Sequence, residues 1–144
     1  MKSNWLSLFK LNKFDFGGRI VHQFVLFECK FLFSLHIFYF TKSGLRQDRF
    51  HTHAFNALSI KLYGSYLEYV LLDEKTGERE IVERDNIFKW FPRDSYHSIG
   101  ESKKGCVTLL ISGPWKKYWK EWIDGEVKWY TWNRKEEKEI IKSI

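Results

Sequence analysis

The apolar residues of this chain fall mostly in short runs with strand character. Residues 19–27 and 31–41 are rich in Phe, Val, Ile and Leu. In the second run Phe31, Phe33, Leu35, Ile37 and Tyr39 share one face of an extended segment, and Leu32, Ser34, His36, Phe38 and Phe40 share the other, because strand side chains alternate with period two. Runs at 57–63, 66–72, 78–83, 87–91 and 106–112 predict further strands. Turn chemistry separates them: Gly17-Gly18, the 42–44 segment, Gly64-Ser65, a 73–78 loop with Gly77 near its end, and a 100–105 loop bounded by glycines. Many short strands and almost no helical periodicity before residue 113 predict an all-β sandwich or jelly-roll β-barrel over about residues 15–112.

The tail changes character. Gly113-Pro114 is a helix-start signal, and Trp115, Tyr118, Trp119 and Trp122 follow at i, i+3, i+4 and i+7. This predicts a short helix sealing one end of the barrel, with Trp115, Trp119 and Trp122 buried against it. Residues 126–132 read as extended, and Asn133 as the cap of a polar helix over 134–144. With no repeat, linker or low-complexity segment, residues 1–144 read as one domain.

Composition narrows the class. Hydrophobic residues make up 44% and aromatic residues 19% of the 144, enough for a packed core rather than disorder. Cys29 and Cys106 lie far apart without CxxC spacing and read as buried free thiols of a reducing compartment. The formal charge of +6 is spread along the chain without a clustered basic run, so charge gives no nucleic-acid signature. Residues 21–40 approach membrane-spanning length, but His22, Gln23, Glu28, Lys30 and His36 would be costly in lipid. The expectation is a soluble protein of the cytoplasm, without a membrane or targeting segment.

The candidate chemistry sits in His51-Thr52-His53, Gly64, and Pro92-Arg93-Asp94-Ser95-Tyr96-His97. Two histidines two apart on a strand point to one face, and a third arrives after a proline-marked turn. Three neutral imidazoles suit a divalent first-row ion such as Fe, Mn, Ni or Zn, held at about 2.0–2.3 Å. Barrel-interior histidines bonded to polar neighbours would show the same pattern. Glu68 shares a strand face with Gly64 and Tyr66, and reads either as a carboxylate joining the site or as a solvated acid. His36 reads as a core histidine, or, if its face lines the barrel, as an extra ligand or acid/base. Tyr66 and Tyr96 are candidate pocket phenols or wall packing.

These residues resemble the cupin superfamily. Its first motif is His-x-His, three or four residues, Glu, six residues, Gly, and its second is Gly, five residues, Pro-x-Gly-x-x-His. His51, His53 and Gly64 match the first, and Pro92 and His97 the second. Ala57 stands in the glutamate position with Leu58 after it, and Asn56 is the only polar neighbour; Asn86 and Asp94 replace the glycines of the second motif. The runs 49–55, 58–60, 64–68, 91–99 and 111–114 look closest to small uncharacterised cupin-like proteins of bacteriophages, which would place the protein in a host cytoplasm. The resemblance covers about residues 20–132 and implies a fold and a site, not a substrate.

Without the glutamate, the implied metal site resembles the three-histidine centres of thiol dioxygenases. His53 sets it apart from the His-x-Asp…His triad of 2-oxoglutarate oxygenases. The first functional expectation is therefore a metal-dependent, oxygenase-like cupin acting on a small polar molecule. The second is a metal-free isomerase or epimerase of the sugar-nucleotide type, with histidine as base and tyrosine as acid. The third is a non-catalytic module for a small ligand, nucleic acid or protein, with Trp115, Tyr118, Trp119, Trp122, Trp129 and Trp132 as stacking surfaces. The sequence does not name the oligomeric state; since many cupins pair through sheet edges, the resemblance implies a homodimer.

Overall fold

Twelve β-strands form in the computed structural model, which describes residues 5–15, 20–41, 49–102 and 104–131. They are β1 (Leu6–Asp15), β2 (Ile20–Cys29), β3 (Ser34–Phe40), β4 (Arg49–His51), β5 (Ala57–Gly64) and β6 (Leu67–Leu71). The second half holds β7 (Arg79–Glu83), β8 (Phe88–Phe91), β9 (Tyr96–Ile99), β10 (Cys106–Ser112), β11 (Tyr118–Ile123) and β12 (Glu126–Thr131). They make two six-stranded antiparallel sheets, ordered β1-β2-β3-β10-β5-β8 and β12-β11-β4-β9-β6-β7. From β3 onward the chain passes repeatedly between the sheets, so neighbours within a sheet are mostly distant in sequence.

The period-two reading of β3 matches the structure. Ser34, His36 and Phe40 are buried on the inner face, while Tyr39 is exposed on the other. Between the sheets, Val21, Phe40, Tyr66, Ile99 and Cys106 form one apolar cluster, and Ala54, Phe55, Ala57 and Phe91 a second, with Leu110, Trp115 and Trp119 against it. A third cluster, Phe50, Tyr69, Leu71, Tyr96 and Trp122, lies on the far side of the second sheet. The β6–β7 loop covers it: Trp122 Nε1 donates to Glu74 O at 2.9 Å, and Tyr96 OH to Glu74 Oε2 at 3.0 Å.

Gly64 earns its place in the motif by close approach. It adopts φ +73°, and an added Cβ would collide with the carbonyl oxygen of Gly105, itself at φ +80°. The two glycines let β5 and β10 cross where their register shifts at Val107/Thr108.

The expected tail helix is absent: among the described residues there is none. Residues 118–123 form β11 instead, and 126–131 form β12, as the extended reading of 126–132 expects; the two pair with each other and, through β11, with β4. The helical spacing misleads because both faces of β11 are covered. Trp119 and Glu121 look into the space between the sheets, and Trp122 packs beneath the β6–β7 loop. Trp122 is buried as expected, while Trp115 and Trp119 are only half-buried. The region expected to be an appendage is thus part of the second sheet, and β1 extends the first below residue 15. The 134–144 helix, Trp132 and the turns at 17–18 and 42–44 lie outside the described residues. Cys29 and Cys106 are buried and unbridged. Among the described residues, no helix is long and apolar enough to cross a membrane.

Candidate metal centre

β4 and β9 are antiparallel neighbours, and their register sets His51 directly opposite His97. Thr52 follows on the same extended path, tied to β11 by its N–H to Lys120 O and by the Lys120 N–H to its Oγ, both 2.9 Å. His53 therefore returns to the face of His51. Its own N–H reaches Arg93 O at 3.2 Å, and Asn56 Oδ1 accepts the Arg93 N–H at 2.7 Å, so the loop after β4 is pinned to the Pro92 turn. That turn, closed by Ser95 N–H to Pro92 O, delivers His97 on β9.

The three rings meet. Their centroids lie 5.0 Å (His51–His53), 4.7 Å (His51–His97) and 4.8 Å (His53–His97) apart. One ring nitrogen from each lies within 4.8 Å of the others, a spacing that can hold one metal ion. Phe91 packs on His97 at 4.9 Å and lies 6.3 Å from His53. Burial, and next the neighbouring His97, push the His53 imidazole down to about 3, so it stays neutral with a lone pair to offer.

Glu68 is neither a solvated acid nor part of the ring cluster. It is 2% exposed and lies behind His97, its Oε1 2.9 Å from His97 Nδ1 and its Oε2 paired with Lys89 Nζ. Burial would raise its carboxyl, but His97 and Lys89 outweigh that and hold it below the ordinary range. A carboxylate there accepts a hydrogen bond from Nδ1–H and leaves Nε2 facing the cluster. Nε2 is buried and has no hydrogen-bond partner among the described residues. An orphaned imidazole nitrogen aimed at two other imidazoles fits a cation.

The cluster lies on a cavity of about 470 Å³ between the sheets. Its walls are largely aromatic, and Trp115 and Trp119 are among them, while Ala57 occupies the wall where the motif has glutamate. Tyr66 is a wall residue whose phenol is held by Arg84 Nη1 at 2.9 Å. Burial first, then the Glu68 charge, push that phenol well above its ordinary range despite Arg84. Arg84 is itself buried and also donates to Ser59 Oγ and Ser59 O. Tyr96 is not in the cavity; its side chain points to the opposite face of β9 and bonds Glu74. At the rim, Arg49 is neutralised by Glu121, at 3.0 and 3.2 Å.

His36 also lines the cavity, buried and outside the ring cluster. Its Nε2 lies 3.4 Å from Glu28 Oε1, and Lys30 Nζ lies 3.7 Å from Glu28 Oε2. Burial raises the Glu28 carboxyl, but His36 and Lys30 together bring it below its usual value. Sequence reasoning missed Glu28, Lys89 and Arg84 as partners of site residues. Glu28 had a readable signal, a carboxylate inside an apolar strand, whereas Lys89 and Arg84 depend on pairings far apart in sequence.

No protein-family model matches the sequence, and no curated protein matches it. Among solved structures, oxalate decarboxylase from Bacillus subtilis at pH 4.6 is similar, with a TM-score of 0.51 and 19% identity over 79% of this chain and 30% of that one. Another structure of the Bacillus subtilis enzyme, studied for its Mn(II) centres, gives 0.50 and 17% over the same shares. These are cupin-fold proteins, and this chain shares that fold. The match covers about 30% of the length of each of these oxalate decarboxylase chains.

Proposed function

We propose that His51, His53 and His97 hold one divalent first-row ion, Fe, Mn, Ni or Zn, in a cupin-type jelly roll closed around the cavity. In this reading a small polar molecule binds in front of the ion and undergoes an oxygenase-like reaction. The observation that carries it is the buried His97 Nε2, without a hydrogen-bond partner among the described residues and held toward the other two imidazoles by Glu68 at Nδ1. The Mn(II) centres of the structurally similar oxalate decarboxylase accord with a divalent ion.

A bound ion would supply Lewis acidity and open coordination positions for substrate. The chain's own residues do the rest. Three neutral imidazoles, with Ala57 in place of a carboxylate, leave the charge of a dication uncompensated and so favour an anionic or strongly polar ligand. Lys89 and Glu68 fix the tautomer and orientation of His97. Arg84 fixes the Tyr66 oxygen as an acceptor, which leaves the phenol proton to donate into the cavity. Phe91, Trp115 and Trp119 exclude water around it.

The test is elemental analysis of protein purified without an affinity tag. About one ion per chain is expected, and none in a His97→Ala variant. Wild-type protein that takes up no Fe, Mn, Ni or Zn at micromolar concentration would refute the reading.

Buried His36, its Nε2 3.4 Å from Glu28 Oε1, favours a second reading, metal-free acid–base catalysis, with this imidazole as base and Tyr66 as acid. A metal-free wild type that still turns over a ligand would select it.

A further inference from the structure

The outer face of the first sheet is apolar across its whole width. Leu11, Phe24, Ile37, Leu109, Ile60 and Phe88 are successive cross-strand partners from β1 to β8. The next row is Leu8, Phe27, Leu35, Ile111, Leu58 and Trp90, again without a polar residue. Tyr39, Val107 and Tyr63 extend the patch by a shorter third row. Phe33, beyond the end of β2, packs on Phe27 at its margin, with ring centroids 5.0 Å apart. At the two edges Leu8, Leu11, Phe88 and Trp90 are 55%, 76%, 62% and 58% exposed, and the residues between them are half-buried, as on an open sheet. An antiparallel sheet with one solvated face alternates apolar and polar residues, and these strands do not.

The size fits a protein interface. Six strands at ~4.8 Å spacing and two to three rows at ~6.8 Å give, with side-chain relief, an accessible surface on the order of 500–800 Å². A standard interface takes about 800 Å² from each partner, whereas monomers seldom expose contiguous apolar patches beyond a few hundred Å².

We propose that this face is the interface of a homodimer, in which a second copy stacks its own first sheet against it about a two-fold axis. A flat apolar face is its own complement, and two such sheets pack at ~10 Å with side chains interdigitated. A charged partner would find no pairing group in the two full rows. Residues 133–144 carry seven charged side chains and only Ile140, Ile141 and Ile144 as apolar ones, too few for twelve apolar positions. The cavity lies against the inner face, so the dimer leaves the three histidines accessible.

Sedimentation of the full chain tests this, together with a Phe88→Lys/Trp90→Lys double variant on the exposed edge strand. Wild type is expected at twice its 17.5 kDa at micromolar concentration. The variant is expected as a folded monomer, with its dimer dissociation constant raised about 100-fold or more. If the variant fails to fold, radical footprinting of wild type over a dilution series reads the same face: Leu8, Leu11 and Trp90 should become labelled as the dimer dissociates. A wild-type monomer overturns the proposal, whether its face is labelled (open to solvent) or protected (covered by residues of its own chain). A double variant that dimerises like wild type overturns it too, by placing the interface elsewhere.

Discussion

Replacing Glu68 by glutamine keeps the side-chain volume and an acceptor for His97 Nδ1–H, but removes the charge that makes Nε2 more basic. Both Glu68 oxygens are engaged, one by His97 and the other by Lys89. Loss of a carboxylate behind a ligating histidine costs about 10–100-fold in metal affinity. Glu68→Gln belongs at the low end, about 10-fold or ~1.4 kcal/mol, because the hydrogen bond survives. Glu68→Ala loses the acceptor as well and belongs near 100-fold, or ~2.7 kcal/mol. Lys89 is 27% exposed in its side chain and can turn to solvent, so the metal-free fold should weaken by only about 1 kcal/mol. Chelator-competition titration of wild type, Glu68→Gln, Glu68→Ala and His97→Ala at fixed pH and ionic strength gives the four affinities. At saturating ion, the gain in unfolding free energy on adding metal should fall by the same increments. Unchanged affinity in Glu68→Gln would refute the claim that Glu68 acts through His97. Loss in Glu68→Ala as complete as in His97→Ala would make Glu68 a direct ligand.

Alanine at His51, His53 or His97 should each abolish stoichiometric uptake, read by elemental analysis, because two imidazoles compete poorly with water for the ion. Ala57→Glu should tighten metal binding by adding a carboxylate at the cavity wall, at about 1–3 kcal/mol of packing strain visible as a lower melting temperature of the metal-free protein; unchanged affinity would show that this position does not reach the ion. Glu28, usual value 4.5, is held lower in the fold, so the unfolded chain takes up its proton first as pH falls. That stability is present above about pH 4.5 and drains away below it, and Glu28→Gln should flatten the acid limb of melting temperature against pH. Deleting residues 113–144 removes β11, β12 and Trp122, and should expose the β4 edge and cause aggregation; a soluble, equally stable product by light scattering and thermal melt would contradict the packing described.

Eight of the twelve strands were legible, seven because their alternation and turn residues agree and β12 from the extended reading of residues 126–132. Residues 57–63, 78–83, 87–91 and 106–112 match β5, β7, β8 and β10 within a residue or so. β1 was missed because Lys10 and Lys13 interrupt its apolar pattern, the habit of an edge strand, which is where it lies. β11 was misread as helix because apolar cover on both faces erases alternation. At the site, the period-two rule and the proline turn bring three histidines together on paper. The Glu68–His97 and Arg84–Tyr66 contacts could not be foreseen, since each depends on which strands become neighbours. Tyr96 shows the same limit: one residue from His97, it faces the opposite way.

A chain that changes sheets at nearly every turn from β3 to β11 must close large loops before it gains contacts. Forty-six positions separate His51 from His97, and β5 to β8 lie between them. Such topology folds slowly, since loop entropy is spent before distant pairings return anything. The short β4 meets β9 only where His51 faces His97, so it gains few contacts until β9 and β11 flank it. Convergence of the three imidazoles therefore requires these long-range pairings to be in place. An ion that needs all three cannot template the early steps; it acts by slowing the escape from the native state.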